Sequence, residues 1–168
     1  FHWAAWADKY GGTVQRPPVR MLVTAINEPI GVIGIRAPDE WPLLGLVSTI
    51  APAIAMGNTV VAVAGSHALT ASDFIQVLQN SDVPGGVVNV LTAEKPDAVA
   101  ELLARNRDVD AVWCFGGDAA VAKVEAASVS NMKRTWCATV DWMGAFGASK
   151  VFLRKATQVK NVWVPFGA

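Results

Sequence analysis

The chain has 168 residues, of which 52% are hydrophobic and 17% charged, and its 14 basic residues balance 14 acidic ones. A chain of this length suits one domain with a sizeable core. Because it is neutral and has no basic cluster, we do not expect it to bind nucleic acid. Its high apolar content predicts that another chain or domain covers part of its surface.

No Asp, Glu, Lys or Arg residue occurs between Trp41 and Thr70. Gly57-Asn58 breaks this stretch, and Pro42 and Pro52 interrupt its first part. The helix that remains is shorter than the roughly 20 residues needed to span a bilayer. We therefore predict no membrane partner.

The two cysteines, Cys114 and Cys137, form neither a CxxC motif nor a metal-ligand spacing. Both lie in apolar runs with no histidine nearby in sequence, and apolar surroundings make a thiol inert. We expect reduced thiols and a cytoplasmic protein. Whether His2 or His67 lies close to them in space stays open. The chain begins without an initiator methionine or a secretory leader, so we expect it to be a piece of a longer protein.

The first 13 residues are predicted to form a helix. Trp3, Trp6 and Tyr10 fall on one face of it, and Gly11-Gly12 ends it. We expect the aromatic face to pack on the core of the domain.

Residues 30–147 alternate short β-branched runs with longer apolar or amphipathic runs. This alternation predicts an α/β fold with a Rossmann-like, doubly wound sheet of five parallel strands. In the third helix we place Ala98, Leu102 and Leu103 on the inner face. The predicted strands are 30–35, 59–63, 87–91, 111–115 and 133–140, and the predicted helices are 43–56, 68–78, 97–105 and 118–128.

The segments 14–29 and 148–168 flank this region and are rich in β-forming residues. Pro17-Pro18 excludes a helix, and the strand that follows carries apolar residues on both faces. A long strand of this kind invites aggregation when its edge is bare. We therefore expect the two segments to be buried against each other and against another chain. The predicted interface residues are Val19, Met21, Val23, Val162, Trp163 and Val164.

Three sequence segments carry a family resemblance: EPIGVIG, IAPAIAMGNTVV and VPGGVVNV. In this order and at these spacings they resemble the first half of the nucleotide-binding domain of aldehyde dehydrogenases. The resemblance implies an NAD-binding ancestry for 30–147. It also implies that 14–29 and 148–168 form the flap through which subunits of the family pair. The C-terminal pseudo-dehydrogenase domain of the two-unit, family-16 enzymes is the most similar branch.

The residues at the family's catalytic positions are different in this chain. In the family's PWN[FY]P motif the Asn side chain donates to the substrate oxyanion, but Glu40 stands there. A carboxylate has no N–H to give, and we expect Glu40 to be an exposed acid at a helix start. Ala138 stands where the family has a general-base Glu. About two dozen residues then lead to the tail strand, too few for a catalytic domain with its Cys nucleophile.

The cofactor-binding positions are altered as well. Where the family's KPxE uses Lys and Glu on the adenosine ribose, the counterparts are Val63 and Ser66. The glycine turn of the family's phosphate-binding helix survives as Gly116-Gly117. Asp118 follows the glycine turn and places an anion where the phosphate would lie. We interpret Asp118 as the N-cap of the helix. These vestigial positions predict that the chain binds no cofactor.

The departures favour a non-catalytic pseudo-aldehyde-dehydrogenase domain with a structural, oligomerising role in a larger NAD-dependent enzyme. Its partners would be the catalytic unit or further copies of itself, joined through the flap strands. Two alternatives stay open. The chain could be a residual nucleotide-binding module or, as the sequence supports less well, a fragment active in its own right.

Overall fold

The computed structural model describes residues 1–166. Within them, two separate sheets carry eight strands, and five α-helices connect the strands. The strands are β1 (Gly12–Gln15), β2 (Met21–Pro29), β3 (Val32–Arg36), β4 (Thr59–Val63), β5 (Val88–Leu91), β6 (Ala111–Cys114), β7 (Arg134–Cys137) and β8 (Thr157–Pro165). The helices are α1 (Pro42–Ala55), α2 (Ala68–Gln79), α3 (Pro96–Arg105), α4 (Asp118–Ser128) and α5 (Val151–Lys155).

The larger sheet has five parallel strands in the order β5-β4-β3-β6-β7. This is the doubly wound, Rossmann-like order, and it confirms the predicted fold class. The β-branched run 59–63 forms β4 with the predicted bounds. The last strand, β7, is shorter than predicted because it ends at Cys137 rather than at Val140.

Side chains from both faces of this sheet are buried. On one face, Ile33, Ile35 and Val60 pack with Leu46 and Ile50 of α1. On the other face, Val112 and Cys114 pack with alanines and valines of α3 and α4. Strands covered on both faces need apolar residues on both sides, which explains their nearly unbroken apolar sequences.

Aromatic rings fill one end of the first core layer. Phe152 of α5 is fully buried, and its ring centroid lies 4.9 Å from that of Trp136 and 5.8 Å from that of Trp3. The N-terminal segment thus packs its aromatics on the core, as expected. It does so with a single 3-10 turn, Ala4–Trp6, rather than with the predicted helix.

The inner face of α3 differs from the prediction. Ala100 and Ala104 are fully buried, whereas Ala98 is exposed and the Leu102 side chain is 64% exposed. Leu103 is half-buried and lies against Gly34 of β3, where an added Cβ would meet Leu103 Cβ at 3.2 Å. The small alanines let α3 pack closely on α4, so the larger Leu102 turns outwards.

The smaller sheet consists of antiparallel strands in the order β1-β2-β8. It joins the two flanking segments as expected, with Val23 opposite Trp163 and Leu22 opposite Val164. Val19 precedes β2 rather than lying within the strand. Val23 is 4% exposed, so it is already buried within the chain and is not a free interface residue.

The three-stranded sheet has an exposed apolar face. Paired residues share a face and alternate along each strand, which places Val14, Leu22, Ile26 and Val164 together. All four side chains are exposed. Among residues 1–166, no helix is long and apolar enough to cross a membrane.

Candidate functional site

A crevice lies at the carboxyl edge of the parallel sheet, where β3 and β6 lead to opposite sides. In open α/β sheets this reversal of strand order is where ligands bind. The crevice has a volume of about 280 Å³, near the lower end of the range of ligand pockets. Its lining combines five positions that the sequence analysis identified with further residues. The lining residues are Pro38, Asp39, Glu40, Phe115, Gly116, Gly117, Asp118, Ala138, Thr139, Val140 and Trp142.

A buried arginine organises the loops beside the crevice. Arg36 ends β3, and its side chain is only 4% exposed. Its Nε donates to Asp97 Oδ1 at 2.8 Å, and its Nη2 donates to Asp39 Oδ2 at 2.9 Å. Its Nη1 donates to the carbonyl of Ala37. The guanidinium is therefore fully engaged within the chain and is not directed at a ligand.

Both pKa shifts in this cluster follow from the pairing. Burial disfavours the charge on Arg36, but the hydrogen bonds and charges of Asp39 and Asp97 outweigh burial and raise its pKa. Partial burial likewise opposes the charge of Asp39. The hydrogen bond from Arg36 and that from the Ser66 amide prevail and lower the pKa of the carboxyl. Asp39 is therefore a carboxylate at neutral pH, ion-paired with Arg36.

Asp39 also occupies the region where the resemblance places ribose recognition. Its Oδ1 accepts from the Ser66 amide at 2.9 Å. An added Cβ at Gly65 would lie 2.8 Å from the carbonyl oxygen of Pro38, so the two loops are in close contact. Val63 is fully buried in β4. Neither Val63 nor Ser66 lines the crevice, in contrast to the other predicted cofactor positions.

Glu40 is exposed at the mouth of the crevice. Helix α1 begins at Pro42 with Trp41 as its N-cap, so Glu40 is an exposed acid just before the helix start. Trp41 has a left-handed backbone, with φ of 52°. No side chain caps this helix end.

The Gly116-Gly117 turn is present at the start of α4, with Gly117 as the N-cap. Asp118 is the first helical residue, so the prediction that it is the N-cap was wrong. A carboxylate in the first turn is stabilised by the helix dipole and competes with an anion for the same amides. An added Cβ at Gly116 would lie 3.0 Å from Ala120 Cβ and 3.3 Å from Arg36 Nε, so the backbone of this turn is closely packed.

Ala138 lies at the far side of the crevice and is half-buried against the aromatic cluster. It offers no proton acceptor. His2 is hydrogen-bonded to the carbonyl of Ala148 at 2.9 Å, and His67 is an exposed residue before α2. Across residues 1–166, no group of three or more potential metal ligands occurs.

A second, larger depression of about 510 Å³ lies at the opposite, amino edge of the parallel sheet. Lys133 closes part of it by donating to the carbonyls of Asn106, at 2.7 Å, and Val109. Desolvation lowers the pKa of Lys133, and the charges of Asp110 and Asp108 oppose that shift. Sequence analysis had not identified this depression, because its residues come from four separate segments of the chain.

Comparisons with known proteins identify the fold and the family. The profile of the Aldehyde dehydrogenase family matches residues 1–139. This chain belongs to the aldehyde dehydrogenase family. It is 36% identical over 134 residues to an aldehyde dehydrogenase of Agaricus bisporus, covering 79% of this chain and 27% of that protein. It is 37% identical to human aldehyde dehydrogenase 1A1, covering 78% and 26% respectively. The aldehyde dehydrogenase relationship predicted from the three segments is confirmed.

Solved structures of the family agree with this architecture. PnpE from Pseudomonas sp. WBC-3 superposes with a TM-score of 0.76 at 28% identity, covering 82% of this chain and 28% of that one. The Escherichia coli lactaldehyde dehydrogenase gives a TM-score of 0.76 at 24% identity, with 82% and 29% coverage, which supports the fold alone. This aldehyde dehydrogenase chain thus spans little more than a quarter of the length of its relatives.

One solved structure of the family, that of a Staphylococcus aureus betaine aldehyde dehydrogenase variant, is in complex with NAD⁺. The crevice of this aldehyde dehydrogenase chain does not fit that cofactor well. Asp39, Glu40 and Asp118 put three carboxylates around it, and Arg36 is held by two of the chain's own carboxylates. Val63 and Ser66 supply no ribose contact in the crevice.

Proposed function

We propose that this chain is a non-catalytic, pseudo-dehydrogenase unit of a larger aldehyde dehydrogenase, most similar to the C-terminal units of the family-16 branch. Its role is structural. The unit docks on a catalytic unit, or on a further copy of itself, through the three-stranded flap. NAD-dependent oxidation is carried by another part of the protein. We place this protein in the cytoplasm.

The chemistry of the crevice supports the non-catalytic part of the proposal. An oxyanion formed during aldehyde oxidation needs hydrogen-bond donors aimed at it. Glu40 offers a carboxylate at the position of the family's Asn, and its charge would repel the oxyanion. Ala138 has no basic group with which to accept a proton. These two replacements remove the donor and the general base together.

The same crevice argues against a bound dinucleotide. A pyrophosphate would lie near the amino end of α4, next to Asp118. Each ribose hydrogen bond lost at Val63 and Ser66 is worth roughly 0.5–1.5 kcal/mol, and more where the partner is charged. We propose on these grounds that the chain itself uses no cofactor.

The flap supports the structural part of the proposal. Its apolar face, formed by Val14, Leu22, Ile26 and Val164, is exposed in the single chain. Strand β8 pairs with β2 along one side only, so its other backbone edge is available to add to a further sheet. An exposed apolar strand edge of this kind is a ready template for pairing with another chain.

Single substitutions test the role of the flap. In Val164→Lys, a charge is placed on the exposed apolar face, so assembly should be lost while the far-ultraviolet circular dichroism is unchanged. Val77→Lys adds the same charge at an exposed position of α2 and is the matched control. Light scattering would measure the mass of both variants and the wild type. A wild-type monomer, or equal masses for all three proteins, would contradict the flap proposal.

A residual nucleotide-binding module is the second candidate. One observation favours it: the Gly116-Gly117 turn and the start of α4 still lie at the point where the strand order reverses. Calorimetric titration with NAD separates the two proposals. Micromolar or tighter binding would support the module, whereas no heat of binding at millimolar NAD would support the structural unit.

A further inference from the structure

The two cysteines of the chain are direct neighbours across two strands. Cys114 is the last residue of β6, Cys137 is the last residue of β7, and the parallel register pairs them. Residues paired in this way have side chains on the same face of the sheet. Both face the core layer beneath α4, where Val124 and Val121 pack beside them. Residues 23 positions apart in the sequence are thus brought together by the fold.

The spacing of the pair suits a covalent bond. Neighbouring strands lie about 4.7–4.9 Å apart. A disulfide requires Cα atoms about 4.4–6.8 Å apart with Cβ atoms on the same side. The register pairs Cys114 with Cys137 on one face of the sheet, and the usual spacing of neighbouring strands lies within the Cα range that a disulfide spans. Both are free thiols in this structure.

The surroundings of the pair favour a thiolate. The Cys137 thiol hydrogen-bonds to Cys114 and lowers the pKa of Cys114 to about 7; burial opposes this shift, and the Gly116 amide and the charge of Arg36 assist it. The pKa of Cys137 is raised, because it keeps the shared proton and lies close to Glu125. The hydrogen bond between the two sulfurs thus makes Cys114 the more acidic thiol of the pair.

Access to the two sulfurs is unequal. Cys114 is fully buried, whereas Cys137 is only half-buried. A small oxidant can therefore reach Cys137 first, while bulky reagents are excluded from Cys114. Cys114, with its lowered pKa, is suited to react second, because the thiolate is the nucleophile.

We propose that Cys114 and Cys137 form a dithiol site that hydroperoxides, the class that includes hydrogen peroxide, oxidise to an intramolecular disulfide. Cys114 accepts the proton of Cys137 across the hydrogen bond that joins the two sulfurs, and the Cys137 sulfur attacks a peroxide oxygen. The O–O bond breaks, leaving a sulfenic acid on Cys137 and releasing hydroxide, which becomes water after protonation. Cys114 then attacks the sulfenic sulfur, the S–O bond breaks, and a second water leaves. Two thiols lose two electrons and two protons, and one peroxide becomes two waters.

The bridge would join edge strand β7 to β6 beside the crevice. Gly116 and Ala138, which follow the two strands, both line that crevice. Oxidation would therefore fix the relative position of the two loops that close it. A thiol reductant would release the bridge, since exchange with a thiolate cleaves a disulfide.

The test uses the purified chain and three variants: Cys114→Ser, Cys137→Ser and, as a matched control, the conservative exposed change Ser130→Ala. After stoichiometric hydrogen peroxide, the wild type and Ser130→Ala should lose the mass of two hydrogen atoms per chain. Alkylation of the unfolded protein should then label no thiol, and dithiothreitol should restore two. Neither cysteine variant should lose that mass, and Cys114→Ser should form a sulfenic acid that dimedone traps.

Arsenite provides an independent readout, because this small trivalent arsenical bridges two neighbouring thiols. It should bind one per chain to the wild type and to Ser130→Ala, and not to either cysteine variant. Wild-type protein that keeps two free thiols after peroxide would overturn the proposal. So would sulfinic or sulfonic acids without a bridge, disulfide-linked dimers in place of the internal bond, or arsenical binding that survives either substitution.

Discussion

Removing the positive charge of the buried Arg36 cluster should destabilise the chain less than removing its two negative charges. In Arg36→Met the buried cation itself is replaced by an apolar side chain of similar length. Asp39 and Asp97 are 47% and 44% exposed, so both carboxylates can turn to water. In the double variant Asp39→Asn/Asp97→Asn the cation stays, although its side chain is only 4% exposed. The double variant should therefore be the less stable protein.

The expected loss of unfolding free energy in each variant follows from how exposed the remaining charges are. Removing a partner from a buried ion pair costs about 3–5 kcal/mol, because a buried charge is left uncompensated. The asparagine oxygens still accept hydrogen bonds, so we expect about 3 kcal/mol for the double variant. Arg36→Met should cost about 1 kcal/mol, because its carboxylate partners behave much like members of surface pairs. A difference of about 2 kcal/mol corresponds to roughly 4–8 °C in melting temperature for a domain of this size.

Urea unfolding followed by circular dichroism measures both changes, provided that the urea dependence of the unfolding free energy is the same in each protein. Glu101→Gln is the control, because its ion pair with Arg105 is on the surface and should contribute less than about 1 kcal/mol. Equal losses in the two cluster variants, or a larger loss in Arg36→Met, would refute the reasoning.

Two further predictions concern the same loops. Because the pKa of Asp39 is lowered from 3.8 in the folded chain, its stabilising effect is present above that value and disappears as the pH falls through the lower, folded pKa. The difference in unfolding free energy between wild type and Asp39→Asn should therefore be full at about pH 6 and shrink below about pH 4, in urea titrations at each pH; a difference that grows on acidification would contradict this. In Gly45→Ala the new Cβ would overlap the Pro38 ring, with Pro38 Cδ only 2.8 Å away, so we expect a loss of about 1–3 kcal/mol by thermal unfolding. Gly85→Ala has no atom within 4 Å and should be nearly neutral; equal losses at both positions would reject the clash.

Local sequence signals predicted the scaffold well. The β-branched run 59–63 lies between glycines and became β4 with the predicted ends. The pairing of the two β-rich flanks also followed from their composition, because apolar strands need a partner. These features depend on neighbouring residues or on simple apolar alternation, so one sequence is enough to predict them.

The wrong predictions concern residues whose burial depends on how the helices and strands pack together. Ala100 and Ala104, rather than the larger Leu102, face inwards because α3 lies close to α4. Likewise, Val23 looked like an interface residue but is buried within the flap, opposite Trp163. Hydrophobicity alone does not distinguish burial inside a chain from burial between chains.

Sequence patterns could not predict the contacts within the candidate site. Arg36 and Asp97 are 61 positions apart, and their ion pair depends on α3 starting next to the end of β3. The neighbourhood of Cys114 and Cys137 likewise required the strand order. The family resemblance did place Glu40 and Ala138 at one crevice, and both line it. Their loss of catalytic roles stays a prediction.

The most direct test of the central proposal is an aldehyde oxidation assay on the purified chain. NADH formation would be followed by its absorbance, with NAD in excess and a panel of aliphatic and aromatic aldehydes. The proposal predicts no rate above that of buffer, because Glu40 and Ala138 supply neither the oxyanion donor nor the general base. Turnover by the pure chain that disappears in Cys137→Ala or Cys114→Ala would contradict it and would make this chain an enzyme.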